Sequence, residues 1–222
     1  MLYTYSNNAN CSSRVALPDS IQHYRTVDKY GWMASVASRD VSVLMDTDVV
    51  VQCTREEIVQ KLGTRRILLG MERNQYPVKT QEGRRRAGHI NSGVIVGYGR
   101  EFERLAREMT AMPGFPRCKL ANSTTVRVED QLCLQSLNEK IPRAIDWNST
   151  LVLSLYGINV RRDLRLRNGS WTYRGRRPCF LHSNGYKWPM QMMCSKTPER
   201  CLCHSKTKKF QFRRLSEQMY SE

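Results

Sequence analysis

The chain has 222 residues, 40% of them hydrophobic, which suits one sizeable domain or one domain with a tail. No run of about 18 apolar residues exists, so no segment reads as membrane-spanning, and the first 13 residues lack the basic and continuous apolar regions of a signal peptide. The net charge of +16, from 36 basic and 20 acidic residues, points to a polyanionic partner such as nucleic acid, or to a generally basic surface.

Strands and helices alternate along the chain, the pattern of an α/β domain. Residues 2–5 read as a first strand, and Val41-Ser-Val-Leu-Met45 as a short buried strand that stops at Asp46. Thr54 and Glu57 form a capping box for a helix with Ile58, Val59 and Leu62 on one face and Gly63 at its end. Residues 66–71 and 94–98 read as strands. Residues 101–109 form an amphipathic helix with Phe102, Leu105, Ala106 and Met109 inward. A shorter helix covers 129–137. Residues 151–156, 164–167 and 171–173 then read as antiparallel strands, with Asn168-Gly169 as a hairpin turn. Residues 179–182 make a final strand. The boundary falls at 188: residues 1–188 form the α/β domain, and 189–222 a basic, cysteine-containing tail or peripheral wrap.

Four short segments carry chemistry. The first is Asp46-Thr47-Asp48, two carboxylates directly after a buried strand. At a strand end the backbone leaves the sheet, and alternate carboxylates can converge on one ion in the crevice where α/β sheets bind ligands. Oxygen ligands suit Mg²⁺ or Mn²⁺ with positions left for phosphate; the bland reading is a solvated acidic turn. The second is Asn91-Ser92-Gly93, small residues that let a ligand approach the backbone before an apolar strand. The third is Glu129-Asp130-Gln131 at a helix start, where carboxylates can work on a hydroxyl or simply complement the helix dipole. The fourth is His182-Ser183-Asn184-Gly185 after a strand, where a neutral imidazole can supply a third metal ligand.

In this order, and with Ile145-Asp146 as a fifth match, the segments resemble the glycosyltransferase domain of procollagen lysyl hydroxylases and related collagen-type glycosyltransferases. The resemblance covers about residues 29–188. The chain departs from the family pattern in a shorter stretch before Lys29, a closer aspartate pair, Glu129 as the first acid, and Val94 and Ser183 in place of glycine. The resemblance implies a GT-A-like mixed sheet with helices on both faces, binding UDP-glucose or UDP-galactose through Mn²⁺ or Mg²⁺. Asp46, Asp48 and His182 would hold the ion; Lys29, Asp46, Asn91, Ser92, Gly93, Asn184 and Gly185 would bind the donor; Glu129 and Asp130 would serve catalysis.

The resemblance extends to glycosyltransferases that modify hydroxymethylated bases in DNA, and the basic clusters favour DNA carrying a hydroxymethylated pyrimidine over a collagen-like chain as acceptor. They are Arg84 to Arg86; the group Arg161, Arg162, Arg165, Arg167, Arg174, Arg176 and Arg177; and Lys206, Lys208, Lys209, Arg213 and Arg214. Arg161, Arg162, Arg174, Arg176 and Arg177 are the expected nucleic-acid contacts, interleaved with Trp171 and Tyr173 that could stack on a base. The alternatives are hydroxylysine in a collagen-like protein, and a non-catalytic nucleic-acid-binding module. Cys53, Cys133 and Cys179 lie in apolar segments, which suits buried free thiols, while the even count of 8 cysteines leaves disulfides open. With no signal peptide, the expected setting is intracellular and reducing, nuclear or viral. Four Asn-x-Ser/Thr sequons, at Asn10, Asn122, Asn148 and Asn168, would matter only on a secretory route. Cys194, Cys201, Cys203 and His204 are a candidate zinc set without standard finger spacing.

Overall fold

The computed structural model describes residues 2–6, 22–23, 29–36, 41–46, 48–72, 89–115, 117–119, 126–128, 130–137, 144–184 and 187–201. In chain order the elements are β1 (Leu2–Ser6), β2 (Gln22–His23), α1 (Lys29–Val36), β3 (Val41–Met45), β4 (Val49–Val51), α2 (Arg55–Leu62), β5 (Ile67–Glu72), β6 (His89–Tyr98) and α3 (Gly99–Thr110). There follow β7 (Arg117–Lys119), β8 (Val126–Val128), α4 (Asp130–Ser136), β9 (Ala144–Ile145), β10 (Val152–Ser154), α5 (Val160–Asp163), β11 (Leu164–Arg167), β12 (Ser170–Tyr173), β13 (Phe180–His182) and α6 (Lys187–Lys196).

The main sheet has six strands in the order β2-β1-β3-β6-β5-β9. It is mixed: β1 runs parallel to β3, β6 antiparallel to both β3 and β5, and β9 parallel to β5. The central strands are buried on both faces, so they read as continuous apolar runs, and their alternation still sorts the side chains. Leu44, Ile67, Leu69, Ile90 and Ile95 face a layer built by α1, α3 and α4. Val43, Met45, Leu68, Val94 and Val96 face the other way, toward Ile58 and Leu62 of α2 and toward Val152 and Phe180. Those last two belong to a second sheet of three strands, β10-β13-β4, which lies across that face. Its far side carries a third cluster with Val50, Leu153 and Leu181 against Trp171, Tyr173 and Met193.

Local chemistry explains the helix ends. The Thr54 hydroxyl accepts from the Glu57 N–H and the Glu57 carboxylate accepts from the Thr54 N–H, so two orphan donors of α2 are satisfied reciprocally. Gly63 closes α2 at φ 59°, a conformation that favours glycine. In α3 Phe102, Leu105, Ala106 and Met109 are buried, while Arg104–Glu108 and Arg107–Glu103 pair one turn apart on the wet side.

The α/β class expected from the sequence is present, but three expectations need correction. First, the segment at 151–156 does not join an antiparallel set. Only β10 forms there, and it pairs parallel with β13, Ser154 opposite His182. Alternation reports which face is buried and carries no sign of pairing direction. The β11–β12 hairpin does form as expected, with Asn168 at φ 47° and Gly169 at φ 69°, the two positive values that a type I′ turn requires. Second, α6 runs through the boundary expected at 188, and residues up to Cys201 pack into the third cluster. Met193, Cys194 and Cys201 are the reason: they supply the apolar cover for Val50 and Leu181. Residues 202–222 lie outside the described residues.

The third correction concerns the cysteines. Cys53 and Cys179 are joined, as are Cys194 and Cys201, and Cys133 is disulfide-bonded too. The apolar surroundings of these cysteines therefore house disulfides rather than free thiols. The Cys194–Cys201 bond also removes two thiolates from the candidate zinc set, which takes that reading away; Cys203 and His204 lie outside the described residues. Cys53–Cys179 closes a loop of 126 residues. Its loss in the double variant Cys53→Ala/Cys179→Ala is expected to lower unfolding stability by about 4 kcal/mol, read from urea unfolding as a lower midpoint, with a steeper slope because the uncrosslinked denatured chain exposes more surface. A midpoint that does not move would show that this link contributes nothing to the fold.

Candidate metal centre

The site forms where the two sheets meet. Asp46 follows the last residue of β3, and its N–H donates to the Gly93 carbonyl on β6 (2.8 Å). Asp48 directly precedes β4. That strand pairs antiparallel with β13, Val49 opposite His182, and the Ser183 N–H donates to the Asp48 carbonyl (2.9 Å). The chain thus leaves the main sheet at Asp46 and enters the small sheet at Asp48, carrying one carboxylate on each side of the seam. The Cys53–Cys179 bond staples the far end of the same β4–β13 pair.

His182 Nε2 lies 3.2 Å from Asp48 Oδ1 and 3.7 Å from Asp46 Oδ2. One ligand atom from each of the three residues falls within 4.8 Å of the others, a spread that one divalent ion can bridge. The imidazole is 3% exposed, whereas the two carboxylates are about one-third exposed. A buried, fixed nitrogen and two partly wet oxygens leave the open side toward solvent, where a phosphate ligand could enter.

The ring is held from behind by Asn91. His182 Nδ1 lies 2.8 Å from Asn91 Oδ1, and the same oxygen accepts from the Gly93 N–H (3.0 Å). Asn91 Nδ2 in turn donates to Gln131 Oε1 (3.4 Å) and to Asn184 Oδ1 (3.3 Å). The Gly93 N–H requires an acceptor, so the amide oxygen must face the ring, and Nδ1 must carry a proton to donate to it. Nε2 is then the basic nitrogen when the ring is neutral, and it is the one aimed at the carboxylates.

A break in the β5–β6 ladder makes this possible. Leu69 pairs with Ile95 and the next residue, Gly70, pairs with Asn91, so one step on β5 spans four residues on β6. The bulged segment carries Ser92 and Gly93 out of the ladder toward His182, as bulges beside functional sites commonly do. A Cβ on Gly93 would sit 2.0 Å from His182 Cε1 and 2.4 Å from both ring nitrogens. The small residue is required for the histidine itself.

The other expected residues distribute as follows. Ser92 is buried, with its N–H directed at Gln131 Oε1 (3.4 Å), and Asn184 is half-buried beside Asn91. Asn91 is fully buried, so it acts on the ring rather than facing a donor directly. Asp130 is buried at the start of α4 and accepts from the Tyr30 hydroxyl (3.4 Å). Gln131, read only as part of a motif, is the α4 residue that reaches the site. The Asp146 carboxylate accepts from the Thr150, Leu151 and Val152 N–H groups and the Thr150 hydroxyl, which makes it a cap for the loop entering β10. Glu129, Gly185 and the Lys29 side chain lie outside the described residues.

The basic group is only partly a surface for a partner. Arg161, Arg162, Arg165, Arg167, Arg174 and Arg176 are exposed. Arg162 pairs with Asp163 (2.8 Å), Arg161 lies over Trp188, and Arg176 donates to the Asn148 carbonyl (3.1 Å). Arg177 is bound to Glu57 and ties α2 to the segment before β13. Lys61 reinforces that tie by donating to the Thr150 and Arg177 carbonyls; burial pulls its ammonium below the usual lysine range, and Asp146 partly offsets this. Trp171 and Tyr173, at 3% and 6% exposure, are core residues and cannot stack on a base, which corrects that expectation. The clusters at Arg84 to Arg86 and from Lys206 to Arg214 lie outside the described residues.

No protein-family model matches the chain, and neither does any curated protein. Among the described residues, no helix is long and apolar enough to cross a membrane.

Proposed function

We propose that the protein is a metal-dependent glycosyltransferase of GT-A-like fold that moves a hexose from UDP-glucose or UDP-galactose to a hydroxyl acceptor. One observation carries the reading: the Asp46 and Asp48 pair and the sequence-remote His182 converge with a spacing suited to one Mn²⁺ or Mg²⁺ ion. The order of the sequence segments agrees with it, because Asp46-x-Asp48, Asn91 to Gly93, Gln131 and His182 to Asn184 meet at one place. An ion held there supplies positive charge to a departing diphosphate. The protein's own part is to hold two carboxylates and one imidazole nitrogen in place, to fix the tautomer through Asn91, and to keep one side open for phosphate. Asp130 and Glu129 remain the candidate acids for acceptor activation.

For the acceptor, the disulfides favour hydroxylysine in a collagen-like protein over a hydroxymethylated pyrimidine in DNA. Stable disulfides belong to oxidising compartments, where such protein chains mature and nuclear DNA is absent. The burial of Trp171 and Tyr173 weakens the case for DNA from a second side. The test offers labelled UDP-glucose and UDP-galactose, with Mn²⁺, to a hydroxylysine peptide and to hydroxymethyl-DNA at low and moderate salt. Label is expected on the peptide with little dependence on salt. Label on DNA alone, falling steeply as salt rises, would reverse the acceptor. Absence of both transfer and donor hydrolysis would remove the enzymatic reading and leave a binding module.

A further inference from the structure

We infer that Asn148 and Asn168 carry N-linked glycans. Both stand in complete sequons, Asn148-Ser149-Thr150 and Asn168-Gly169-Ser170, and both are exposed. Two separate features of the structure converge on this. The first is the disulfide pairing of Cys53 with Cys179 and of Cys194 with Cys201, which places maturation of the chain in an oxidising compartment, the setting in which sequons are read. The second is position. Asn168 occupies the tip of the β11–β12 hairpin at φ 47°, with exposed neighbours Arg167 and Gly169. Asn148 sits in the turn after β9, beside Trp147, which is 51% exposed. A bulky glycan on either leaves the three clusters of the core untouched.

The hydroxyls of the two sequons also speak to timing. In the folded protein the Thr150 hydroxyl donates to Asp146 Oδ1 (2.9 Å), and the Ser170 hydroxyl accepts from Arg200 (3.2 Å). Transfer therefore precedes closure of these turns. In the step itself the side-chain amide nitrogen of asparagine loses a proton to the transferase's base and bonds to the anomeric carbon of a lipid-linked oligosaccharide diphosphate. The bond from that carbon to the diphosphate oxygen breaks, and the lipid diphosphate leaves. A glycan at Asn168 would also shield the hairpin tip at Arg167, leaving the Arg165 to Arg174 strip unsuited to a long polyanion.

The inference does not depend on the metal centre. The full chain, isolated from the cells that make it, is treated with peptide N-glycosidase in ¹⁸O-labelled water, and its peptides are weighed. Conversion to ¹⁸O-labelled aspartate is expected at Asn148 and at Asn168. The variants Asn148→Asp and Asn168→Asp, chosen because aspartate tolerates the left-handed region at the hairpin tip, should each lose one glycan's mass. Unmodified asparagine at both positions, or mobility unchanged by either variant, would overturn the inference. Glycans without sugar-transfer activity would leave it standing and count against the proposed function alone.

Discussion

Asp48→Asn is expected to lower sugar transfer and Mn²⁺-dependent donor hydrolysis by at least about a hundredfold, with the unfolding midpoint little changed. The substitution keeps the shape of the side chain but removes its charge. Asp48 is the carboxylate nearest to His182 Nε2, at 3.2 Å, and it is about one-third exposed, so the fold does not depend on burying it. Its backbone is separately fixed by the Ser183 N–H and by the β4–β13 pair, and the variant should leave both in place. An amide oxygen is a weaker ligand for a hard cation than a carboxylate, and one fewer negative charge balances the ion. The loss should appear mainly as a higher Mn²⁺ concentration for half-activity. Full activity at the same Mn²⁺ concentration would remove Asp48 from the metal site.

Gly93→Ala should disable the same site by a different route. The added Cβ would fall 2.0 Å from His182 Cε1, well inside contact distance, and neither side can yield easily. On one side Gly93 is pinned by the bond from the Asp46 N–H to its carbonyl and by its own N–H to Asn91 Oδ1. On the other, the imidazole is 3% exposed and bound to Asn91. The ring must leave its position, and with it go the third ligand and the Asn91 contact. Overpacking of this kind costs about 1–3 kcal/mol of stability, and Mn²⁺ should be needed at higher concentration for half-activity, as in Asp48→Asn. An alanine variant with native Mn²⁺ affinity would show that His182 is not held against Gly93 in solution.

Much of the frame could be read from local signals. The Val41 to Met45 run ends at Asp46 as a buried strand should, the Thr54–Glu57 box starts α2, and Asn168-Gly169 turns the hairpin. Each of these is decided within a few residues. The rest depends on partners remote in sequence. Cys53 and Cys179 are 126 positions apart, and an apolar neighbourhood suits a buried thiol and a buried disulfide equally. β10 pairs parallel with β13, a direction that no local pattern encodes. The function of Gly93 was hidden for the same reason: the atom that needs its missing side chain belongs to His182, on another sheet. Asn91 looked like a residue that meets a ligand, yet the bulge between Leu69 and Gly70 turns it inward, where it orients the ring.

The most direct measurement is electron spin-echo spectroscopy of Mn²⁺ added to the protein in the presence of UDP. A single bound ion per chain is expected, with nitrogen modulation from His182 Nε2 and phosphorus coupling from the nucleotide. His182→Gln should remove the nitrogen signal, and Asp46→Asn and Asp48→Asn should each weaken binding. Mn²⁺ bound without nitrogen modulation, or held equally well by all three variants, would contradict a centre built from Asp46, Asp48 and His182.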